Sequence, residues 1–86
     1  MFWLYILHSS QDGSYYIGHT KDLNERVIRH NLGHSLSTKA KVPWKLIYKE
    51  EYSTKSEAQK REYYLKRKKS KKYIEHLVNG AWRSPA

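Results

Sequence analysis

The chain has 86 residues and no cysteine, so it has room for one small domain and cannot use disulfide scaffolds, thiol catalysis or cysteine-based zinc sites. Seventeen lysines and arginines against eight acidic residues give a net charge of +9, which favours nucleic acid, an anionic membrane surface or an acidic protein as partner. No stretch has membrane-spanning length and the apolar opening is too short for a signal-peptide core, so we expect a soluble, cytoplasmic protein without membrane contact.

The first predicted elements are two strands joined by a tight turn. Residues 2–7 are rich in aromatic and β-branched side chains, and Asp12-Gly13 is a pair favoured in hairpin turns. Residues 14–18 form the returning strand. If the turn holds an even number of residues, Tyr5 and Tyr16 lie on the same face of the hairpin, about one diagonal step apart.

A helix is predicted next. Asp22, with Glu25 three residues later, resembles a capping box, and the helix is expected to run to about Leu32 with Gly33 as its stop.

One side of this helix is predicted to be buried. At 100° per residue the apolar stripe consists of Leu23, Val27 and Ile28. Arg26 and His30 lie along one edge of the stripe and point the same way, because they are four residues apart.

A polar, basic connector at residues 33–43 ends in a proline, which discourages helix before it. Residues 44–52 then alternate as a third strand. The two predicted faces of this strand carry Trp44, Leu46, Tyr48 and Glu50 on one side and Lys45, Ile47 and Lys49 on the other.

A second capping-box pattern, Thr54-Lys55-Ser56-Glu57, predicts a helix that runs to about Lys68. Its apolar line contains Ala58 and Leu65, and Glu62 lies between them on the same stripe. A carboxylate is unexpected in that position.

A short last helix is predicted after Ser70, which can cap it. Ile74, Leu77 and Val78 share one face of this helix.

The order β-β-α-β-α-α, without repeats or a linker, predicts one α+β domain with a three-stranded antiparallel sheet flanked by helices. The domain covers residues 1–86, with its core at about 2–78 and a frayed tail at 79–86.

Glu62 is the clearest candidate for chemistry. An ionised carboxylate on a core-facing stripe costs several kcal/mol unless a cation or hydrogen-bond donors meet it. A salt bridge to a neighbour such as Arg26 explains it as well as metal binding does. One or two carboxylates with water and phosphate commonly hold Mg²⁺, so one glutamate suffices.

Four other side chains fit phosphate chemistry. Arg26 suits bidentate phosphate recognition and His30 suits proton transfer, although such pairs are usually just a solvated helix face. Tyr5 and Tyr16 are either ordinary strand aromatics or candidate bases. A phenol with a pKa near 10 acts as a base at neutral pH only if cations, here Arg26 and a metal on Glu62, lower that value.

Other basic residues are candidate phosphate contacts, and the run at residues 66–72 has six of them in seven positions. As a bare motif this run also fits a localisation signal or a solvated helix end. The five histidines show no zinc-ligand spacing. The candidate nucleic-acid contacts are Lys39, Lys41, Lys45, Lys66, Arg67, Lys68, Lys69, Lys71 and Lys72.

An ordered set of short motifs resembles the GIY-YIG nuclease superfamily, particularly its small stand-alone bacterial proteins of the UPF0213 type. The resemblance covers about Phe2 to Val78. The motifs are Trp3-Leu4-Tyr5, Tyr16-Ile17-Gly18, Thr20-Lys21-Asp22-Leu23 leading to Arg26 and His30, Pro43-Trp44-Lys45-Leu46-Ile47-Tyr48, and Glu57-Ala58 through Arg61-Glu62 to Leu65-Lys66.

The resemblance implies cleavage of phosphodiester bonds with one divalent metal ion, Mg²⁺ or Mn²⁺. It assigns the signature tyrosines to Tyr5 and Tyr16, the phosphate-stabilising arginine to Arg26, the following histidine to His30 and the metal ligand to Glu62. A tyrosine, in the first place Tyr16, or the metal itself would activate the attacking water.

Two departures from the family pattern stand out in the signatures. Trp3 and Leu4 replace the Gly-Ile of the first signature, and His19 takes a position where many relatives have a basic or aromatic residue, so it is an auxiliary candidate.

The resulting hypothesis is a monomeric, metal-dependent endonuclease that prefers DNA, with RNA as the alternative substrate, and has structure-dependent or weak sequence specificity. The alternatives are a non-catalytic nucleic-acid-binding module with the same fold, and an interaction protein that docks an acidic partner.

Overall fold

The computed structural model describes residues 1–33, 38–68 and 70–81, and only the backbone of residues 80 and 81. Its element order is β-β-α-β-α-α, as predicted. A 3₁₀ turn at Lys39–Lys41 precedes the third strand, and a π-type turn at Leu77–Ala81 follows the last helix. The principal elements are β1 (Phe2–Ser9), β2 (Tyr15–Thr20), α1 (Leu23–Asn31), β3 (Trp44–Tyr52), α2 (Lys55–Lys68) and α3 (Lys71–His76).

Two predictions fall outside the described residues: the phosphate contact of Lys69 and the fraying of the tail beyond residue 81. Among the residues described, no helix combines the length and apolar character needed to cross a bilayer.

The sheet is built around β1. Strand order is β2-β1-β3 with both pairings antiparallel, which confirms the predicted α+β fold with a three-stranded antiparallel sheet flanked by helices. Residues 4–7 of β1 are at most 1% exposed. A strand covered on both faces needs a continuous apolar run rather than strict alternation, and Leu4-Tyr5-Ile6-Leu7 supplies it.

The two faces of the sheet carry separate clusters. On one face, which we call the α2 layer, α2 and α3 cover β1, and its buried members are Leu4, Ile6, Tyr48, Leu65, Ile74 and Leu77. On the other face, which we call the α1 layer, Leu23 and Val27 of α1 pack against Tyr5, Leu7 and Trp44. Burying each large apolar side chain stabilises the fold by about 1.5–3 kcal/mol.

The strict alternation predicted for β3 is wrong at one point. Ile6 pairs with Tyr48 but Leu7 pairs with Leu46, so Ile47 is an extra residue in the strand. A bulge of this kind exchanges the two faces of the strand beyond it. The side chains on the α1 layer are therefore Trp44 and Leu46, and those on the α2 layer are Tyr48 and Glu50.

The ends of α1 agree with the prediction. The Asp22 carboxylate accepts a hydrogen bond from the Glu25 N–H at 3.1 Å, and Gly33 has a φ of +78° just beyond the helix. A left-handed φ strongly favours glycine at that position.

The buried stripe of α1 differs from the prediction. Ile28 is 57% exposed, whereas His30 is only 3% exposed. Leu23, Val27 and His30, at helical positions i, i+4 and i+7, form the inward face together with the half-buried Arg26. The helix is rotated because His30 has polar partners inside the protein, which an exposed imidazole would lose.

The capping predictions for α2 and α3 are confirmed. At α2, Glu57 N–H donates to the Thr54 hydroxyl and Thr54 N–H donates to the Glu57 carboxylate, both at 3.2 Å. At α3, Ser70 Oγ accepts from Tyr73 N–H at 3.0 Å. Such caps contribute about 1 kcal/mol each.

An ion-pair cluster that the sequence did not predict joins β3 to α2. The Glu50 carboxylate accepts hydrogen bonds from Arg61 at 2.9 and 3.1 Å, from the Tyr52 hydroxyl at 2.6 Å and from the Tyr48 hydroxyl. Burial favours the neutral acid, but these donors outweigh it and hold the pKa of Glu50 below its ordinary value. The cluster fixes α2 against the edge of the sheet.

Replacing Arg61 with methionine should lower the free energy of unfolding by about 1–3 kcal/mol, because the substitution leaves the half-buried Glu50 carboxylate without its cation. Urea unfolding at pH 7 measures the change. The matched control is Lys60→Met, an exposed position on the same helix, which should change stability by less than about 0.5 kcal/mol. Equal losses in the two variants would contradict the role of the cluster.

Candidate active site

Two tyrosines lie together on the α1 layer of the sheet. Leu7 pairs with Tyr16 and Tyr5 pairs with Gly18, so the two tyrosines are diagonal neighbours on adjacent strands. Their ring centroids are 6.2 Å apart. The predicted shared face is therefore confirmed.

The Tyr5 ring reaches across β2 because position 18 has no side chain. A Cβ at Gly18 would lie 2.6 Å from the Tyr5 hydroxyl oxygen and 2.8 Å from the ring carbon that carries it. Real Cβ atoms do not approach so closely. Glycine is required here for close approach, not for an unusual backbone angle.

The Tyr5 hydroxyl, on the far side of β2, forms a hydrogen bond with His30. It lies 3.1 Å from His30 Nε2, and His30 Nδ1 lies 2.9 Å from the Thr38 hydroxyl oxygen. Burial and the charge of Arg26 lower the pKa of His30, so the ring is neutral at pH 7. We assign the Tyr5 hydroxyl as donor to Nε2 and the Nδ1 proton to the Thr38 hydroxyl. Thr38 is 1% exposed and gave no signal in the sequence.

Tyr5 stays protonated in this environment. Burial, together with the negative charge of Glu62, raises the pKa of Tyr5 well above its ordinary value against the opposing charge of Arg26. Arg26 Nε is buried without a hydrogen-bond partner among the described residues.

Glu62 is held by two donors, and neither is Arg26. One carboxylate oxygen lies 2.6 Å from His19 Nδ1 and the other lies 2.7 Å from Lys66 Nζ. The Glu62 side chain is 18% exposed. The Lys66 ammonium lies 5.9 Å from the ring centroid of Tyr16, so it is close to both residues. The salt bridge to Arg26 considered from the sequence is absent among the described contacts.

Two open clefts flank the Glu62–His19 pair. The Lys41/Lys71 cleft, of about 510 Å³, lies at the start of β2 and the end of α2. The Lys21/Lys55 cleft, of about 520 Å³, lies at the end of β2 and the start of α2. The polar and aromatic lining of the first cleft includes Asp12, Ser14, Tyr15, Tyr16, Lys41, Lys66 and Lys71, and that of the second includes Phe2, His19, Lys21, Arg26 and Lys55.

The predicted nucleic-acid contacts are divided among several surfaces. Three of them line the Lys41/Lys71 cleft, and two others line a smaller cleft of about 330 Å³ beside Tyr64. Lys39, Lys45 and Lys72 are exposed outside these three clefts. Sequence reasoning did not select Lys21 or Lys55, because neither belongs to a basic run.

A comparison with protein-family models decides the family. The model described as the GIY-YIG catalytic domain matches residues 1–74. The chain belongs to the GIY-YIG family. A UPF0213 protein of Staphylococcus saprophyticus is 40% identical over 79 residues, which cover 91% of this chain and 95% of that protein. A UPF0213 protein of Staphylococcus epidermidis is 55% identical over 56 residues, covering 64% and 68% respectively.

The GIY-YIG fold is also found in a solved relative. The solution NMR structure of a UPF0213 protein from Bacillus halodurans matches with a TM-score of 0.55 and 29% sequence identity, covering 94% of this chain and 90% of that one. The α+β architecture and the UPF0213 resemblance inferred from the sequence are both confirmed.

The GIY-YIG family implies a divalent cation, and the donor set around Glu62 fits one. Within the described residues no three acidic, histidine or cysteine side chains gather as a metal cage, so Glu62 would be the ion's carboxylate ligand. A hard cation such as Mg²⁺ accepts one carboxylate when water and phosphate oxygens complete its shell. Both Glu62 oxygens already face donors, and Lys66 is 49% exposed, so its ammonium can move into solvent.

Replacing Gly18 with alanine in this GIY-YIG domain should destabilise it by about 1–3 kcal/mol, because the added methyl group forces the Tyr5 ring off its site. Thermal unfolding and the NMR signals of the Tyr5 and His30 rings measure both effects. Gly33→Ala is the control for a destabilising glycine substitution away from Tyr5: it strains the backbone, since φ is +78°, and should leave the Tyr5 and His30 ring signals unchanged. Unchanged ring signals in Gly18→Ala would refute the close-approach argument.

The buried His30 should make stability depend on pH. Its folded-state pKa lies below the ordinary 6.5, so below that pH the unfolded chain binds the proton more tightly than the folded chain does. The stabilisation is therefore complete above pH 6.5 and is lost as the pH falls towards the folded pKa.

We expect the urea unfolding free energy of the wild type to fall more steeply between pH 6.5 and pH 5 than that of His30→Gln, which has no titrating ring. A histidine-ring NMR titration should place the His30 pKa below 6.5. Identical pH slopes in the two proteins would exclude a buried, neutral His30.

Proposed function

We propose that the chain is a divalent-metal-dependent endonuclease that hydrolyses phosphodiester bonds, with DNA favoured over RNA. The proposal rests on one observation: Tyr5, Tyr16 and His30 come together beside β2, and Arg26 lines a cleft with His19, whose Nδ1 lies 2.6 Å from the Glu62 carboxylate. β2 is an edge strand, so side chains from both layers can meet a substrate there. The family and the net charge of +9 support a nucleic-acid substrate.

Arg26 would recognise the phosphate. Its Nε is buried without a partner among the described residues, and an unpaired guanidinium N–H is costly unless a ligand accepts from it. A phosphate oxygen is a suitable acceptor and would gain a charge-assisted, bidentate contact. Arg26 then balances the negative charge that develops on the phosphate oxygens during attack.

Tyr16 is the better candidate for the base. Burial keeps Tyr5 protonated, so Tyr5 can donate a hydrogen bond but cannot take a proton from water. Tyr16 is only half-buried and lines the Lys41/Lys71 cleft, so its hydroxyl is more accessible to water than that of Tyr5. As a phenolate, Tyr16 would accept the proton of the attacking water.

His30 would act through Tyr5 as a positioning residue. Its neutral ring accepts the Tyr5 hydroxyl proton and is oriented by Thr38, which fixes the direction of the Tyr5 hydroxyl. Glu62 would hold the divalent cation, with His19 as an auxiliary contact to the same carboxylate. When bound, such a cation withdraws charge from the phosphate oxygens and stabilises the leaving oxygen.

The decisive experiment is cleavage of a labelled substrate panel in Mg²⁺ or Mn²⁺: duplex, nicked, flap, junction and single-stranded DNA, and RNA. Glu62→Ala should reduce cleavage by at least about 100-fold, because it removes the carboxylate that would hold the cation. Glu51→Ala is the matched control, since Glu51 is an exposed carboxylate on β3. Circular dichroism verifies that both variants are folded.

Loss of cleavage in Glu62→Ala and in chelator, with Glu51→Ala active, is the expected result. A wild type that binds these substrates without cutting any would instead support a non-catalytic nucleic-acid-binding module. A single domain over residues 1–86, a monomeric state and a cytoplasmic location complete the proposal and rest on the sequence alone.

A further inference from the structure

The edge strand β2 opens on a basic cleft at each of its ends. The Lys21/Lys55 cleft adjoins the end of β2 and the start of α2, whereas the Lys41/Lys71 cleft adjoins the start of β2 and the end of α2. His19 lines the Lys21/Lys55 cleft and Lys66 lines the Lys41/Lys71 cleft, and Glu62 bonds to both of them. Along α2, Lys55 and Lys66 are separated by about 16 Å at the 1.5 Å rise of a helix, so one extended ligand has to cross the site to occupy both clefts.

Among the described residues, no carboxylate lines the Lys21/Lys55 cleft or pairs with its two lysines. Arg26 lines the same cleft with its buried, unpartnered Nε. Cations that are left unpaired around an open cleft attract anions, and a phosphate chain provides several at regular spacing.

The Lys41/Lys71 cleft places lysine ammonium groups beside an aromatic ring and polar side chains. Lys71 Nζ lies 5.9 Å from the Tyr15 ring centroid, and Lys41 Nζ lies 3.3 Å from Ser14 Oγ and 3.8 Å from Asp12. Phe2 gives the opposite cleft an aromatic surface as well. Basic side chains beside aromatic rings are typical of surfaces that follow a nucleic-acid strand, because the rings contact bases while the cations contact phosphates.

We propose that one nucleic-acid strand runs from the Lys21/Lys55 cleft across Glu62 to the Lys41/Lys71 cleft. Lys21 and Lys55 contact phosphates on one side of the scissile bond, and Lys41 and Lys71 contact phosphates on the other. This inference rests on the proposed nuclease function and adds two subsites to it. The contacts carry no sequence information, since they are made to the backbone of the strand.

The test is binding of a fluorescent 20-nucleotide single-stranded DNA in chelator, measured by anisotropy at several salt concentrations. Lys21→Ala/Lys55→Ala should raise Kd about tenfold at low salt and reduce the slope of log K against log salt by about 1.4, which corresponds to two lost phosphate contacts. Lys49→Ala/Lys60→Ala removes the same charge from exposed positions outside both clefts, and should leave the slope unchanged.

A second pair tests the other half of the path. Lys41→Ala/Lys71→Ala should reduce the slope by a similar amount, and the quadruple variant should show the sum of the two reductions. If either cleft variant behaves like the Lys49/Lys60 control, the strand does not use that cleft and the proposal is overturned. Failure of the wild type to bind would overturn it as well.

Because chelator removes divalent cations, the anisotropy experiment measures strand binding independently of metal-dependent cleavage. A wild type that binds with the expected variant effects but does not cut in Mg²⁺ keeps the strand path and loses the nuclease function. A wild type that cuts, while both cleft variants bind like the control, keeps the nuclease function and loses the path. Urea unfolding of each variant verifies that the lysine substitutions leave the fold intact.

Discussion

The site depends on the Tyr5 ring crossing directly over the backbone of Gly18. The crossing carries a polar hydroxyl from the central strand into a buried position, where it must find a partner or cost about 1–3 kcal/mol. His30 is that partner, and its burial fixes the rotation of α1. With His30 inward, Arg26 faces the same way one turn earlier and Ile28 is left in solvent. One contact thus orients the side of α1 that carries Arg26 and His30.

A second constraint determines the orientation of α2 in the α2 layer. Arg61 is bound to Glu50 by two hydrogen bonds, which fixes how α2 is rotated about its own axis. The next residue along the helix, Glu62, then points about 100° further round, towards His19 on β2. The buried Leu65 holds the same rotation from the core side. The position of the candidate metal ligand therefore depends on an ion pair that takes no part in the chemistry.

Local signals allowed most of the fold to be predicted from the sequence. Capping residues such as Asp22 and Ser70 act within one helical turn, and an even number of turn residues places Tyr5 and Tyr16 on one face of the hairpin. Both features depend on residues that are close in sequence, so the sequence alone predicts them. The bulge at Ile47 and the inward rotation of His30 were missed, because each depends on a partner from a distant segment. The clefts were missed for the same reason: their lysines are far apart in sequence and meet only through folding.

The division of the site between two layers has a consequence for partly folded forms of the chain. Tyr5, Tyr16 and Arg26 belong to the side covered by α1, whereas Glu62 arrives on α2 from the opposite side. Helices at one face of a small domain can detach locally at less cost than global unfolding. A chain with α2 detached would keep Arg26 in place and lose Glu62 from the site. Under the proposed function, such a species could bind nucleic acid but could not cleave it, so cleavage would require the fully folded chain.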